Sequence, residues 1–273
     1  MLTNASKILV FTDVHITKAG QQIIGLDPLE RFQTGLRHAL GHHPDAERLI
    51  VMGDLVHFGS RKEYERLAGA LRDVPIPVHL MVGNHDRREA FLEVFPDTPV
   101  TGSGHVQTVI DVAGTRLILL DTLDGPPYPD GHHAGRLCPD RLAWFDTAIA
   151  EAGGRKLMVF MHHPPFSVGF DGMDSIRLDD SDAFIARLRN MPNVTHIFAG
   201  HVHRTISGQI GGIPFSILKS PCHQMPMLLG AAGTAHSIVE PGAYGIVLIT
   251  PDSTIVHTED FDLPARDIQS YET

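Results

Sequence analysis

The sequence has 273 residues, of which 42% are hydrophobic and 20% are charged, so it can form one large or two smaller globular domains with a sizeable core. The formal net charge of −10 argues against polyanionic partners such as nucleic acid and anionic membranes. Two cysteines cannot build a disulfide framework, no apolar run approaches the roughly 18 residues of a membrane span, and residues 1–7 lack a basic, then apolar leader, so we expect a cytoplasmic protein.

Short apolar runs that each end at a polar loop predict strands. These runs occupy residues 7–12, 48–52, 78–82, 156–161 and 194–199. Between them, a 3.6-residue apolar period and capping residues predict helices. The first helix begins at Asp27-Pro28 and ends near Gly41, and the second follows the capping box of Ser60 and Glu63. Two further helices occupy residues 140–152 and 180–190.

Three hairpins are predicted from pairs of alternating runs on either side of turn residues. They span residues 106–121, 205–218 and 243–258. Because strand–loop–helix units come first and hairpins follow, the order predicts mixed sheets with flanking helices rather than a purely parallel sheet. No internal repeat or linker divides the chain, so we expect a single domain over residues 1–273, with 218–241 as a cap or an oligomer contact.

Residues that bind metals follow several of the predicted strands. His201 and His203 come directly after the strand at 194–199, and on an extended strand end residues two apart point the same way. Gly200 would let the backbone turn just before this pair. The same argument brings Asp13 and His15 together. The full set of candidate ligands is Asp13, His15, Asp54, Asn84, His162, His201 and His203.

Seven nitrogen and oxygen ligands exceed the needs of one tetrahedral ion, and they suit two ions bridged by an aspartate. A set without cysteine suits Mn, Fe, Co or Zn. Two such ions can polarise a phosphoryl group and lower the pKa of a shared water. His85, beside Asn84, is placed to donate a proton to a departing oxygen. The two cations would also give this acidic protein a positive pocket for phosphate.

Five motifs in this order resemble those of the calcineurin-like metallophosphoesterase superfamily. The superfamily pattern is D-x-H, G-D, G-N-H-D/E, a His followed by a small or His residue and Pro, and G-H-x-H. Here the motifs are Asp13–His15, Gly53-Asp54, Gly83–Asp86, His162–Pro164 and Gly200–His203. They span residues 13–203, most of the chain. The resemblance implies an α/β fold, a four-layer α/β/β/α sandwich of two mixed β-sheets flanked by helices.

The resemblance also divides the ligands between two ions. One ion would be held by Asp13, His15, Asp54 and His203. The other would be held by Asp54, Asn84, His162 and His201. His162 is chosen over His163 because the pattern places the ligand two residues before the proline. The implied mechanism is attack on phosphorus by a hydroxide shared between the ions, with His85, Asn84 and Asp54 as the catalytic residues and His85 assisting the leaving group.

Within the superfamily, the near-terminal D-x-H, the His162–Pro165 run and the Ser220–Gln224 stretch are similar to compact bacterial class III cyclic-nucleotide phosphodiesterases and glycerophosphodiesterases. We therefore expect a metal-dependent hydrolase of a small phosphoric diester, with His57 and His223 on the substrate side of the pocket. The resemblance also implies a homo-oligomer, either a dimer or a dimer of dimers.

Three alternatives remain open. A phosphomonoesterase or a nuclease would use the same metal ligands, although the acidic charge and the lack of an aromatic and basic track argue against a nucleic-acid polymer as substrate. A non-catalytic scaffold would be expected to lose ligands, and this chain keeps all seven.

The remaining polar residues of interest are given structural or solvent-facing interpretations. In loops we expect solvated side chains at His42, His43, His105, His132, His133 and His236, although His132 and His133 lie in a loop that could lean over the site. In predicted helices and strands we expect structural roles for His38, His79, His196 and His257. His163 is interpreted as shaping the loop before Pro164, Asp86 and Asp121 as orienting neighbouring groups, and Arg87 and Arg88 as a solvated helix start.

Overall fold

The strands and helices follow the apolar segments of the sequence. The computed structural model describes residues 5–263, so both ends of the predicted domain, 1–4 and 264–273, lie outside the described residues. The strands are β1 (Ser6–Phe11), β2 (Arg48–Met52), β3 (Val78–Met81), β4 (Thr108–Val112), β5 (Thr115–Leu119), β6 (Lys156–Phe160), β7 (Val194–Ala199), β8 (Ile206–Ile210), β9 (Ile213–Ile217), β10 (Ala243–Ile249) and β11 (Thr254–Asp260). The helices are α1 (Pro28–His42), α2 (Arg61–Leu71), α3 (Arg88–Val94), α4 (Pro139–Ala150), α5 (Asp171–Ser175) and α6 (Ser181–Arg189).

The strands form two mixed sheets. The first has the order β11-β10-β1-β2-β3, in which β1, β2 and β3 are parallel and β10 runs antiparallel to both β1 and β11. The second has the order β4-β5-β6-β7-β9-β8, with β5, β6, β7 and β9 parallel and an antiparallel strand at each edge. In parallel strands the carboxyl ends share one edge of the sheet, so the loops that follow them come together there.

The side-chain alternation of the strands creates three apolar layers. In β1, Ile8 and Val10 pack against residues of the second sheet, whereas Leu9 and Phe11 pack against helices α1 to α3. The outer face of the second sheet packs in the same way against α4 and α6, through residues such as Phe145 and Phe184. The result is a four-layer α/β/β/α sandwich, and the predicted fold class is confirmed.

The predicted strands, hairpins and helices have ends that agree with the structure to within two residues. Helix α1 continues one residue past Gly41, with the N–H of His43 bonded to the carbonyl of Ala39. The short helix α5 was not predicted, because five residues carry no readable period. None of the helices within residues 5–263 combines the length and the apolar character needed to cross a bilayer.

The expectation of a solvated helix start at Arg87 and Arg88 is wrong for Arg88. Helix α3 begins there, but the Arg88 side chain is buried and its Nε lies 2.6 Å from Oδ2 of Asp121. Asp121 also accepts hydrogen bonds from the backbone N–H groups of Val106 and Leu123. A buried carboxylate needs such partners, so Asp121 joins α3 to the loop after β5.

Candidate metal centre

The seven predicted ligands converge at one end of the sandwich. Asp13 and His15 follow β1, Asp54 follows β2, and Asn84 follows β3, so these four come from the first sheet. The histidines come from the second sheet: His162 follows β6, and His201 and His203 follow β7. All seven side chains are buried.

One group of four ligands is closely packed. The ligand atoms of Asp13, His15, Asp54 and His203 all lie within 4.8 Å of one another. Nε2 of His203 is 2.9 Å from Nε2 of His15 and 3.3 Å from Oδ1 of Asp13, and Nε2 of His15 is 3.5 Å from Oδ2 of Asp54. Two carboxylates and two imidazoles around one point form a suitable donor set for a borderline transition metal.

The remaining ligands surround the other side of Asp54. Nε2 of His162 lies 3.3 Å from Oδ2 of Asp54 and 3.2 Å from Oδ1 of Asn84. His201 lies beside His162, with ring centroids 5.3 Å apart. Asp54 is therefore next to both groups of ligands, which is the position that a bridging carboxylate requires.

Five of the seven residues have a left-handed backbone. The φ angles are 55° at Asp13, 46° at His15, 47° at Asp54, 69° at His201 and 54° at His203. The prediction that the paired side chains converge is right, but its premise of an extended strand end is wrong. A positive φ is costly for residues other than glycine, and such strain concentrates at functional sites.

Gly200 opens a tight turn, as predicted, because the N–H of Val202 donates to the carbonyl oxygen of Gly200 at 2.8 Å. Its φ is not positive, but a Cβ at this position would collide with Oγ1 of Thr12 and lie 2.8 Å from Oδ2 of Asp13. Glycine is needed here because the chain after β7 passes directly over the chain after β1. That contact lets the backbone N–H of His201 donate to Oδ1 of Asp13 at 3.0 Å.

The histidines have the hydrogen-bond pattern of metal ligands. Nδ1–H of His162 donates to the carbonyl of Met52, and Nδ1–H of His203 donates to the carbonyl of His223, each at 3.0 Å. These bonds turn each Nε2 toward the centre of the site. Nε2 of His201 is buried without any hydrogen-bond partner in the described part of the chain. A buried unpaired nitrogen is costly, and a metal ion would satisfy it, so the residues fit the predicted ions.

The pKa values of the histidines and aspartates in the site are set by their burial and by the charges of their neighbours. Burial lowers the pKa of His201, with His162 adding to the effect, to about 3. Burial alone would also lower the pKa of His162, but the charges of Asp54 and Asp13 raise it to about 9. Burial opposes ionisation of Asp54, yet the neighbouring histidines hold its pKa well below the usual range. The carboxylates are thus ionised, as ligands must be.

The hydrogen bonds show that His163, unlike its neighbour His162, is not available to bind a metal. Nε2–H of His163 donates to the carbonyl of His133 at 3.1 Å, and its Nδ1 accepts from the Thr122 hydroxyl at 2.7 Å. Both ring nitrogens are therefore occupied, which leaves no lone pair for a metal. The interpretation of His163 as a residue that shapes a loop agrees with this geometry.

Beside the ligands lies a cavity of about 300 Å³. His57, His85 and His223 line it, as expected for substrate-side residues. Residues 223, 225 and 234–237, all within the predicted cap or oligomer segment, form one wall. A second cavity, of about 330 Å³, lies beside β3 and β4, but its lining is mostly apolar and contains none of the ligands.

Some cavity residues were missed or misassigned by the sequence. Met173 and Ile176 belong to the unpredicted α5 region, and no local pattern marks them. His133 and His236 also line the cavity, and His236 is exposed, as expected, whereas His133 is half-buried. The suggestion that the loop at 132–133 leans over the site is right for His133, whereas His132 instead bonds to Asp124.

The comparison with known families agrees with the geometry. The family model described as calcineurin-like phosphoesterase matches residues 6–205, which include all seven ligands and both halves of the site. The chain belongs to the calcineurin-like phosphoesterase family. The predicted superfamily is thereby confirmed, and so is the prediction of an enzyme that hydrolyses phosphoric esters.

Several known proteins are similar to this chain over much of its length. A probable cyclic nucleotide phosphodiesterase of Rhodopseudomonas palustris is 42% identical over 93% of this chain and 92% of its own. A glycerophosphodiester phosphodiesterase of Enterobacter lignolyticus is 33% identical over 69% of this chain and 66% of its own. A dimetal phosphatase from Danio rerio has the same fold, with a TM-score of 0.71 at 14% identity over 94% of this chain and 96% of its own.

Proposed function

We propose that the protein is a two-metal phosphodiesterase that hydrolyses a small diester, with a cyclic nucleotide as the favoured substrate class. The observation that carries the proposal is the position of Asp54 between two groups of ligands that open onto one cavity. The relatives add support, since the Rhodopseudomonas palustris protein and a Pseudomonas aeruginosa protein, 28% identical over 88% of this chain, bear cyclic-nucleotide phosphodiesterase names.

The ligand assignment follows the two groups in the structure. One ion would be held by Asp13, His15, Asp54 and His203. The other would be held by Asp54, Asn84, His162 and His201. When bound, the ions supply Lewis acidity and a water that ionises near neutral pH. Their identity, among Mn, Fe, Co and Zn, stays a prediction, as do the oligomeric state and the cytoplasmic location.

His85 is proposed to assist the leaving group. Its Nδ1–H donates to the carbonyl of His57 at 2.8 Å, and its backbone N–H donates to Oδ1 of Asp54 at 2.9 Å. These two bonds hold the ring at the cavity wall and leave Nε2 without a partner in the described part of the chain. When protonated, Nε2 can give its proton to the departing alkoxide oxygen.

The cavity walls support a substrate with an apolar, flat part. The lining includes the apolar residues Met173, Ile176 and Met225 and the hydroxyl-bearing residues Thr234 and Ser237. A purine ring would pack on the first group and place its polar edge near the second. A glycerophosphodiester is the second candidate, and it is favoured by the relative that carries that name.

The proposal is tested by turnover of metal-reconstituted protein. Apo protein is loaded in turn with Mn, Fe, Co and Zn, and each form is assayed on cyclic AMP, glycerophosphoethanolamine, bis(p-nitrophenyl) phosphate and p-nitrophenyl phosphate. We expect the diesters to be hydrolysed well ahead of the monoester, with cyclic AMP preferred over glycerophosphoethanolamine. Preference for the monoester would identify a phosphomonoesterase, and cleavage of an added oligonucleotide would identify a nuclease. Absence of turnover with every metal would favour the scaffold.

A further inference from the structure

One residue beside the proposed centre has a contact that no predicted role explains. His133 lies in the loop between β5 and α4, and its Nδ1 is 3.0 Å from Nδ2 of Asn84. The opposite end of the Asn84 amide, Oδ1, lies 3.2 Å from Nε2 of His162. The amide is therefore held between the two histidines.

The chemistry of the amide decides which end faces the ligands. An amide has a donating NH₂ end and an accepting oxygen end, and only the oxygen can ligate a metal ion. Because Nδ1 of His133 accepts from the NH₂ end, the oxygen is turned toward Nε2 of His162. A donor at the position of Nδ1 would favour the flipped amide, and the flipped amide would present N–H groups where a ligand is needed.

The backbone around His133 is fixed by the second histidine of the His162–Pro165 run. Nε2–H of His163 donates to the carbonyl of His133 at 3.1 Å. Two residues further on, the carbonyl of Gly135 accepts from the N–H of Asp179 at 2.7 Å, and a Cβ at Gly135 would collide with the His163 ring. The loop therefore packs tightly on His163, which places the His133 ring reproducibly.

His133 also contacts the proposed leaving-group residue. The rings of His133 and His85 are stacked, with centroids 5.3 Å apart and planes 25° from parallel. Both rings line the same cavity. His133 is thus in contact with two residues of the proposed site and is itself outside the ligand set.

We infer that His133 is a positioning residue that orients the Asn84 amide, so that its oxygen can ligate the second metal ion; the inference rests on the proposed two-metal function. Outer partners of metal ligands typically contribute about 10- to 100-fold in metal affinity or activity. The loss of His133 should therefore weaken one of the two metal sites and leave the other unchanged.

The test uses three substitutions at one position. In His133→Asn, the side-chain oxygen can occupy the place of Nδ1 and accept from Asn84, whereas the polar end of Gln matches Nε2 instead. We expect His133→Ala and His133→Gln to weaken binding of the second Mn²⁺ about 10- to 100-fold and to lower kcat by at least about tenfold. His133→Asn should bind it within about threefold of the unchanged protein.

The matched control is His132→Ala, because His132 is the neighbouring residue, bonds to Asp124 and does not line the cavity. We expect it to bind two Mn²⁺ ions normally. Metal binding is measured by calorimetric titration of apo protein, and folding of each variant by circular dichroism. Equal affinity in His133→Ala and the unchanged protein, or equal losses in His133→Asn and His133→Gln, would overturn the inference. Absence of diester turnover in the unchanged protein would instead count against the proposed function, since the metal titration is independent of activity.

Discussion

At the scale of single residues, the site combines strained backbone with close hydrogen bonding. Five of the proposed ligands have a left-handed backbone, which turns their side chains toward the centre of the site: Asp13, His15, Asp54, His201 and His203. Such conformations cost of order 1–3 kcal/mol each and persist only where neighbouring contacts determine them. The direct bond from the N–H of His201 to Asp13 is one such contact.

The proposed role of His85 predicts a dependence on the leaving group. With cyclic AMP, whose leaving group is an alkoxide, His85→Ala should lower kcat by about 10²–10⁴-fold. With bis(p-nitrophenyl) phosphate the loss should be under about tenfold, because p-nitrophenolate departs without a proton. Steady-state kinetics on both substrates, with denaturant unfolding to check the fold, measure the difference. Equal losses on the two substrates would show that His85 does not act on the leaving group.

The different hydrogen bonds of His162 and His163 predict different metal contents for their alanine variants. His162→Ala should reduce bound metal from two ions per chain to about one, because its inward Nε2 is a proposed ligand. His163→Ala should retain more metal than His162→Ala, since both of its ring nitrogens are bonded within the protein and it affects the second ion only through the loop that carries His133. Elemental analysis of the purified variants after reloading measures both. The reverse result would exchange the roles of the two residues.

At the scale of elements, the tight crossing of the loops after β1 and β7 predicts a steric limit. Gly200→Ala would press a methyl group against Thr12 and Asp13 and should destabilise the protein by about 1–3 kcal/mol. The matched control is Gly69→Ala, at an exposed position in the last turn of α2, where a Cβ meets nothing within 4 Å. That change should stabilise by about 0.5–1 kcal/mol. Urea unfolding compares the two, and a neutral Gly200→Ala would contradict the crossing.

Strand β7 carries a buried histidine whose titration predicts a pH effect. Burial lowers the pKa of His196 to about 4, and its Nε2 is 3.0 Å from the Ser216 hydroxyl. Above the unfolded pKa of about 6.5 it has no effect, and as the pH falls toward 4 only the unfolded chain gains the proton, so stability is lost. Between pH 7.5 and 5 the unchanged protein should lose about 2 kcal/mol more than His196→Gln. Parallel losses in urea unfolding at the two pH values would refute this.

The elements were predictable because each one is specified locally. The apolar run of β1 and the caps at Asp27 and Ser60 lie within a few residues of what they determine. The seven ligands were found because each directly follows such an element. The burial of Arg88 and the contact of His133 with Asn84 could not be found in this way, because their partners lie 33 and 49 residues away in the chain.

At the scale of the whole molecule, the proposed centre joins the two sheets. Asp13, Asp54 and Asn84 extend from the first sheet, and His162 and His201 extend from the second. An apolar layer also lies between the two sheets. Metal ions would therefore link two halves of the sandwich that the chain itself connects only through loops.

This arrangement predicts that metal removal lowers thermal stability. At metal concentrations 100 times Kd, each ion that binds only the folded state stabilises it by about 2.7 kcal/mol. Reloaded protein should therefore melt several degrees above chelator-treated protein in a calorimetric scan. The melting temperature of Asp54→Ala should rise little on reloading with metal, since Asp54 lies beside both groups of ligands. Identical melting of the apo and reloaded protein would contradict a stabilising metal link.

The antiparallel pairing of β10 with β1 also constrains how the chain folds as it is synthesised. Ser6 pairs with Ile249, so β1 leaves the ribosome long before its neighbour exists. At about 5–20 residues per second, one edge of β1 waits at least about 12 s for its partner. During that time the first sheet has an open hydrogen-bonding edge, the kind of surface that pairs with other chains. The last hairpin is thus the element that covers this edge of β1, and its late arrival favours aggregation while the chain is being synthesised.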